Sequence, residues 1–311
     1  MNDQLFEQFL DVSDSALKKA LKFSHKAMGT RFELYIYFPD PVYAEQAAEA
    51  AFREIDGIEK VLSHYIENSD ISKISTLMAH QSTKVTVHTM ESLLHCAYLW
   101  EITKGLFDVT IGPLYQVWLD EDKSLREPSA EVIASAKSRV GMHHLLLDPK
   151  NMTVQVLHEG LQLDLGGYGK GYAIDCAVEL LAEWDIENVL VHGGYSSLYA
   201  KGKPDGLSAW PLTITHPVSS THIGYVHLSN QAMSASGLQK GQHIIHPHLA
   251  RPVTTHLAAW AIGESAATVD GLTTAFMMMS RDDIESLCSQ TETMALMITH
   301  EGSIESVNFP L

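Results

Sequence analysis

Two segments of the chain combine residue types that suit a bound phosphate and a hard metal ion. The first, LDLGGYGKGYAID (Leu163 to Asp175), places glycines between an expected strand and an expected helix. Glycines let a backbone approach a ligand closely, and a helix N-terminus offers N–H groups and the positive end of a dipole. The spacing matches neither the GxGxxG fingerprint nor the P-loop, since no GK[ST] follows. The segment is therefore either a phosphate site of another kind or a tight turn.

The second segment, VDGLTTA (Val269 to Ala275), carries a carboxylate and hydroxyls. If it is helical, Asp270 and Thr274 lie one turn apart on the same face. Together with a backbone carbonyl from the glycine loop, their oxygens would form a hard donor set that suits Mg²⁺ better than zinc or copper. The alternative is that Asp270 caps the helix and Thr274 packs in the core.

A histidine-rich segment, GQHIIHPHLARP, holds His243, His246 and His248. Two of them, His243 and His246, lie in an expected extended stretch, where residues three apart point to opposite faces, and this disfavours a shared zinc site. A single histidine acting as general base or phosphate contact is favoured, because neutral imidazole titrates near pH 7.

Two further segments, GLFDVTIGPL and SHYIENSDISKIS with its Tyr65, could line a cofactor pocket or close a core.

The composition limits the kinds of protein that could hold these segments. The chain has 311 residues, of which 45% are hydrophobic and 19% charged, enough for a sizeable core in one large domain or two merged ones. A net charge of −17 without a long basic run disfavours nucleic acid as a partner, and it favours a metal wherever a phosphorylated cofactor must bind. The three widely spaced cysteines disfavour a disulfide framework and a thiolate zinc site.

The N-terminal segment, MNDQLFEQFLDVSDSALKKALKF, is acidic where a secretory signal would be basic. It predicts a soluble helical extension over residues 1–26. Since no apolar run approaches the roughly 20 residues that cross a bilayer, we expect no membrane span and a cytoplasmic protein.

Hydrophobic periodicity predicts the elements that position the candidate residues. Strands are expected in RFELYIYF, in NVLVHGGYSSLYAKG and in five later segments (LTITHP, IGYVHLS, AAWAIGE, TMALMITHEG, SIESVNF). The stretch HHLLLDPKNMTVQVLHEGLQLDL is expected to form strands joined by the turn DPKN, the last of which runs straight into GGYGKG. Helices are expected over residues 44–65, 88–105 (ending at Gly105), 130–141 (capped by Ser129), 172–186 and 269–288. Because helices and strands are mixed without strict alternation, the sequence predicts an α+β fold.

Eight segments in order resemble the FAD:protein FMN transferases, the ApbE family. They are AMGTRFELYIY, LSHYIENSDISKIS, GLFDVTIGPL, LDLGGYGKGYAID, VLVHGG, SASG, HIIHP and VDGLTTA, and they run from about Met28 to near the C-terminus. The resemblance implies one ApbE-like (T-fold-like) domain over residues 27–311, with mixed sheets and helices and a cleft for FAD. It also implies Mg²⁺-dependent transfer of FMN from FAD to a threonine hydroxyl of an acceptor protein, with release of AMP.

The resemblance also implies roles for individual residues. The metal would be held by Asp270, Thr274 and the main-chain oxygen of Gly167, and Lys170 could meet phosphate charge. Contacts with the flavin nucleotide would come from Met28, Tyr65, Leu106, Phe107, Asp108, Asp164, Lys170 and Ile244. We take His243 as the candidate base for the acceptor proton, or as a phosphate contact.

Four positions depart from the family pattern. His246 and Tyr195 each stand where the family usually has Asp, and Leu249–Ala250 stand where it usually has Thr-Gly. Two alternatives therefore stay open: an FAD-binding protein with weakened or lost turnover, and an FAD pyrophosphatase in which water replaces the threonine hydroxyl.

Overall fold

An eight-stranded antiparallel sheet is the framework of the computed structural model, which describes residues 19–310 apart from 121–123, 195, 218, 220, 239 and 240. The strands are β1 (Leu21–Ala27), β2 (Thr30–Ile36), β3 (Ser82–Lys84), β4 (Leu145–Asp148), β5 (Thr153–Val156), β6 (Val189–Gly193), β7 (Ser197–Lys201), β8 (Trp210–Thr215), β9 (His222–Leu228), β10 (Gln231–Gly237), β11 (Ile245–His246), β12 (Arg251–Pro252), β13 (His256–Gly263), β14 (Met294–Thr299) and β15 (Ile304–Val307). In the large sheet the order is β1-β2-β6-β7-β10-β13-β14-β15.

The remaining strands form small sheets, and the helices are distributed along the chain. The small sheets have the orders β3-β5-β4, β8-β9 and β11-β12. The helices are α1 (Pro41–Leu62), α2 (Asp70–Ser75), α3 (Val87–Ile102), α4 (Gly112–Trp118), α5 (Ala130–Lys137), α6 (Gly169–Glu183), α7 (Ala266–Phe276) and α8 (Arg281–Thr291). This mixture confirms the predicted α+β class. Across the described ranges, no helix is both long and apolar enough to cross a membrane.

The two faces of the large sheet are covered differently. Alternate residues of β2, namely Phe32, Leu34 and Ile36, belong to the main core with α1, α6 and α7. On the opposite face, Leu190 and Leu198 pack with Trp210 and other side chains of the β8–β9 hairpin. Helix α7 contacts β10, β13 and α6, so it lies between the sheet and another helix. That position buries the segment that carries Asp270 and Thr274.

Several predicted elements form with the expected signals. Helix α5 begins after Ser129, whose side chain accepts a hydrogen bond from the backbone N–H of Val132. Helix α3 ends at Ile102, and Lys104 and Gly105 follow with φ values of 54° and 79°. The left-handed backbone is the conformation that the predicted glycine stop requires. Helix α1 begins at Pro41, with Asp40 as its cap.

Three local predictions were wrong. Residues 21–26, assigned to the N-terminal helical extension, belong to β1, where seven successive residues pair with β2; residues 1–18 lie outside the described residues, and their helix stays a prediction. The leucines of LQLDL are buried, but the stretch is not a strand, since Gln162 makes an isolated bridge to Ile111 rather than a ladder. The helix expected over residues 269–288 is two helices, since Ser280 caps α8 by accepting from Asp283 N–H.

Candidate functional site

Helices α6 and α7 cross closely at the position that the glycine-rich segment occupies. A β-carbon on Gly171 would lie 2.3 Å from the carbonyl oxygen of Ala266, so the crossing requires a glycine there. One turn further along α6, the Asp175 carboxylate accepts hydrogen bonds from the backbone N–H groups of Ala266 and Ala267 and from the Ser265 hydroxyl. Asp175 thereby fastens α6 to the first turn of α7. Because Asp270 lies one helical turn beyond Ala266 in α7, fastening the first turn of α7 also sets the position of Asp270 relative to α6.

The Asp270 carboxylate is buried, with 3% of its surface exposed, and both of its oxygens have partners. Its Oδ1 lies 3.0 Å from Ser197 Oγ and 2.9 Å from Ser234 Oγ. Its Oδ2 accepts a hydrogen bond from Gly171 N–H at 3.2 Å and lies 3.7 Å from Lys170 Nζ. The capping interpretation of Asp270 was wrong, because Ser265 caps α7 by accepting from Thr268 N–H.

Thr274 lies directly against the glycine loop. A β-carbon on Gly167 would lie 2.9 Å from Thr274 Oγ1, and the same hydroxyl lies 3.5 Å from the carbonyl oxygen of Asp270. The structure thus brings Gly167, Asp270 and Thr274 together. In the described part of the chain, no three His, Cys, Asp or Glu side chains form a group that could hold a metal ion. A metal bound at this place would therefore need hydroxyl or carbonyl oxygens beside the single carboxylate.

The loop itself is held by hydrogen bonds within the glycine-rich segment. Asp164 Oδ1 accepts from Gly166 N–H at 2.7 Å, and Lys170 Nζ donates to the Gly166 carbonyl oxygen at 2.9 Å. Beyond Asp164, His64 Nδ1 lies 3.7 Å from the carboxylate, and the His64 ring contacts the ring of Tyr65, which is 82% exposed. Asp164 and Lys170 therefore both hold Gly166 in the loop, and Tyr65 is connected to Asp164 through His64.

Residues of the GLFD segment pack against the same loop. Phe107 is buried and lies beside Gly167 and Gly271, where its ring would contact an added β-carbon on either glycine. Asp108 turns its carboxylate inward, accepting from Thr110 N–H at 2.8 Å and from Trp100 Nε1–H at 2.9 Å. Burial raises the pKa of Asp108, although these hydrogen bonds act to lower it. Phe107 is thus adjacent to the predicted metal ligands, while the Asp108 side chain braces the segment.

Met28 and Leu106, two of the predicted nucleotide contacts, are partly buried against the main core. Met28 and Gly29 have φ values of 50° and 67° and form the two-residue turn between β1 and β2, a geometry typical of a type I′ hairpin. The turn after β6 lies beside it, since a β-carbon on Gly194 would meet Thr30 Oγ1 at 2.4 Å. Tyr195, which departs from the family pattern, lies outside the described residues.

The histidine segment forms a turn around β11. His243 Nδ1 lies 2.9 Å from the carbonyl oxygen of Gly241, and Ile244 is buried. His246 Nδ1 accepts from the backbone N–H groups of His248 at 3.2 Å and Leu249 at 3.3 Å. A carboxylate oxygen of Asp makes the same pair of contacts in an Asx turn. The substitution at position 246 therefore keeps an acceptor for the turn.

The histidine turn contains a second departure. Ala250, which stands where the family usually has Gly, has a φ of 50° and so keeps a left-handed backbone.

The pKa of His246 is lowered by burial and then by the charges of His248 and Arg251. A lowered pKa favours the neutral imidazole, which can accept the hydrogen bonds of the turn.

Several residues of the site gave no recognisable signal in the sequence. Ser197, Ser234 and Asp175 lie within the motifs, but no spacing rule links any of them to a ligand or to one another. A further case is His95, whose Nδ1 lies 3.1 Å from Tyr168 Oη in the glycine loop and whose Nε2 lies 3.2 Å from Thr268 Oγ1 in α7. These contacts join distant segments, so spacing within one segment could not reveal them.

Comparisons with known proteins give one consistent result. The model of the ApbE family matches residues 28–298. The FAD:protein FMN transferase of Chlamydia trachomatis is 30% identical over 255 residues, covering 76% of this chain and 77% of that protein. The FAD:protein FMN transferase of Buchnera aphidicola is 26% identical over 302 residues, covering 92% of this chain and 88% of the relative.

Solved structures agree with the sequence comparisons. The crystal structure of the ApbE protein from Thermotoga maritima superposes with a TM-score of 0.84 at 27% identity, covering 93% of this chain and 97% of that one. The flavin transferase ApbE from Vibrio cholerae, at 23% identity, has a TM-score of 0.82 over 93% of this chain and 96% of its own, and it supports the fold alone.

Proposed function

This chain belongs to the ApbE family, and from that membership we propose that it is an FAD:protein FMN transferase that uses Mg²⁺ to move FMN from FAD to a threonine hydroxyl of an acceptor protein, releasing AMP. The single observation that supports the proposal best is the meeting of Gly167, Asp270 and Thr274 at the start of α6. Two segments that are distant in the sequence meet there, since Gly167 lies against the Thr274 hydroxyl and Asp270 Oδ2 accepts from Gly171 N–H.

The donor chemistry fits the proposed metal. A carboxylate, a hydroxyl and a main-chain carbonyl are hard oxygen ligands of the kind that Mg²⁺ prefers, and Mg²⁺ commonly completes its coordination with substrate phosphates. The glycine at position 167 leaves open the space that a β-carbon would fill against Thr274 Oγ1. When bound, Mg²⁺ would neutralise charge on the pyrophosphate of FAD and so favour displacement at phosphorus.

Chain residues around this point suit the nucleotide. The N-terminal turn of α6 presents backbone N–H groups, and the Lys170 ammonium lies in the same turn, 2.9 Å from Gly166 O and 3.7 Å from Asp270 Oδ2. Both features favour phosphate oxygens, which matters in a chain with a net charge of −17. Tyr65 offers exposed aromatic surface for the flavin, and Phe107 is a buried ring that supports the proposed nucleotide site from beside Gly167. Met28, Leu106, Asp108, Asp164 and Ile244 complete the proposed contact set.

His243 is the proposed base. Because a carbonyl oxygen can only accept, the contact with Gly241 O assigns a proton to Nδ1 and leaves the lone pair of neutral imidazole on Nε2. The base would take the proton of the acceptor threonine as its Oγ forms a bond to the FMN-side phosphorus. The bond between that phosphorus and the bridging oxygen breaks, and AMP leaves with the bridging oxygen.

The proposed test is a product analysis. The protein would be incubated with FAD, Mg²⁺ and candidate acceptor proteins, and the products identified by mass spectrometry. An acceptor heavier by one FMN, with an equal amount of AMP, is the expected result, and Asp270→Asn should abolish both products. Free FMN with AMP and no labelled acceptor would instead select the pyrophosphatase. Bound FAD without AMP would select the binding protein that lacks turnover.

A further inference from the structure

Ser197 and Ser234 form a buried pair of hydroxyls beneath the proposed metal ligand. They are direct partners on the neighbouring antiparallel strands β7 and β10. Their Oγ atoms lie 3.2 Å apart, and the side chains are almost completely buried, at 3% and 1% exposed. Both Oγ atoms lie within hydrogen-bond distance of the same atom, Asp270 Oδ1. The sheet therefore offers two donors to one oxygen of one carboxylate.

The protons of these contacts can be assigned by counting donors. An ionised carboxylate oxygen only accepts, so each O–H···O contact with Asp270 requires the serine proton to point at Oδ1. A serine lone pair turned toward Oδ1 would be repelled instead. Ser234 Oγ also lies 2.7 Å from the carbonyl oxygen of Ser196, so its proton is shared between two acceptors. The other acceptors within reach of Ser197 Oγ are hydroxyls at longer distances, Ser234 Oγ at 3.2 Å and Ser196 Oγ at 3.5 Å, so Ser197 is expected to be the stronger donor to Asp270.

The two hydrogen bonds to Oδ1 of Asp270 determine the direction in which Oδ2 points. Turning the Asp270 carboxylate to any intermediate orientation would break or lengthen both hydrogen bonds to the oxygen that faces the serines, so the serine pair fixes the carboxylate plane and keeps the other oxygen, Oδ2, turned away from the sheet. Oδ2 then stays on the side of α6, where it contacts Gly171 N–H and Lys170. Gly167 belongs to the same loop and lies against Thr274.

We infer that Ser197 and Ser234 are positioning residues that hold Asp270 so that Oδ2 alone is presented to a divalent cation, in a one-oxygen binding mode. The inference rests on the proposed function, because it assumes that the cation binds at Asp270. Hydrogen-bond partners of metal ligands orient the ligands, and their loss commonly weakens metal binding about 10- to 100-fold.

The chain supplies a matched control on the same strand. Ser236, two residues beyond Ser234 on β10, donates to Thr273 Oγ1 at 3.0 Å. It ties the same strand to the same helix and does not contact Asp270 among the described hydrogen bonds. Ser236→Ala thus removes a comparable hydroxyl from the same interface without touching the carboxylate.

The experiment measures Mn²⁺ binding by electron paramagnetic resonance, with saturating FAD and no acceptor, so that no turnover is needed. Wild type would be compared with Ser197→Ala, Ser234→Ala, the double variant, Ser236→Ala and Asp270→Asn, each checked by circular dichroism and thermal unfolding. We expect Mn²⁺ affinity to fall about 10- to 100-fold in the double variant, more in Ser197→Ala than in Ser234→Ala, and about twofold or less in Ser236→Ala. If the double variant does not fold, Ser197→Ala decides the question.

Kinetics supply the second readout. In the serine variants the metal concentration for half-maximal transfer should rise, while the rate at saturating metal changes little. Serine variants that bind Mn²⁺ like wild type, while Asp270→Asn does not bind it, would overturn this inference alone. Wild-type protein that binds no Mn²⁺, or Asp270→Asn that binds it unchanged, would overturn the proposed metal site and the inference with it.

Discussion

Gly167 and Thr274 touch so closely that a β-carbon on the glycine would lie 2.9 Å from the threonine hydroxyl oxygen. Real β-carbons essentially never come this near to another heavy atom, so any larger residue at position 167 must displace the Thr274 side chain, α7 or the loop. Gly167 belongs to the turn before α6, and Thr274 lies in the second half of α7. The contact therefore joins the two segments on which the proposed metal site depends.

The first prediction concerns this contact. In Gly167→Ala the added methyl should push Thr274 and the loop apart and lower metal affinity about 10- to 100-fold, in the range observed when ligand orientation is lost. Gly169→Ala is the control, because a β-carbon there has no neighbour within 4 Å. Isothermal titration with Mg²⁺ in the presence of FAD would compare the two variants. Equal affinity in both would contradict the role assigned to Gly167.

The second prediction concerns Asp175, which fastens α6 to α7. Burial raises the pKa of Asp175 from the reference value of 3.8 to about 6, although the hydrogen bonds from Ala267, Ala266 and Ser265 act to lower it. The folded state therefore holds this proton more tightly than the unfolded state. Protonated Asp175 therefore stabilises the fold, and this contribution is fully present below about pH 4 and is lost as the pH rises through about 6. At 1.36 kcal/mol per pKa unit, the complete loss amounts to about 3 kcal/mol of unfolding free energy.

Asp175→Asn should remove this dependence on pH. The measurement is urea unfolding between pH 4 and 7, with the exposed Asp205→Asn as control. We expect the difference in unfolding free energy between wild type and Asp175→Asn to change by about 2–2.5 kcal/mol across this range. A constant difference would show that Asp175 does not titrate there.

The third prediction concerns the proposed base. His243→Ala should lower the transfer rate about 10²- to 10⁴-fold, the usual contribution of a positioned general base, and should leave Mn²⁺ binding unchanged. His158→Ala, an exposed histidine whose Nδ1 contacts a backbone carbonyl oxygen, is the matched control. An unchanged transfer rate in His243→Ala would eliminate His243 as the base.

The fourth prediction concerns His246, where an imidazole accepts the turn N–H groups of His248 and Leu249. His246→Ala should destabilise the protein by about 0.5–1.5 kcal/mol, because it removes the acceptor of both exposed N–H groups, which can then bond water instead. His246→Asp restores a carboxylate acceptor and should match wild type at pH 7.

The dependence of stability on pH should distinguish His246→Asp from wild type. Since the pKa of His246 is lowered by folding, its stabilising contribution is present above about pH 6.5 and is lost as the pH falls through the folded value. Thermal unfolding at pH 7 and pH 5 should therefore show a larger loss for wild type than for His246→Asp. The same loss in both proteins would mean that the imidazole does not act as the turn acceptor.

The sequence by itself determined features that depend on local spacing. Asp270 and Thr274 lie one helical turn apart whatever surrounds them, because α7 has a fixed period. The Ser129 cap and the glycine that follows α3 are likewise local signals, and the structure contains both. The order of the eight segments sufficed to indicate the family.

Only the tertiary structure decided which segments are neighbours. Residues 21–26 are a strand because β2 pairs with them, whereas LQLDL, with comparable alternation, has an isolated bridge and stays irregular. Ser197 and Ser234 reach Asp270 because β7 and β10 pair beneath α7. No period in the sequence encodes such contacts. They arise when burial of apolar faces brings distant elements together, and the hydroxyls and carboxylates carried by those elements must then satisfy one another.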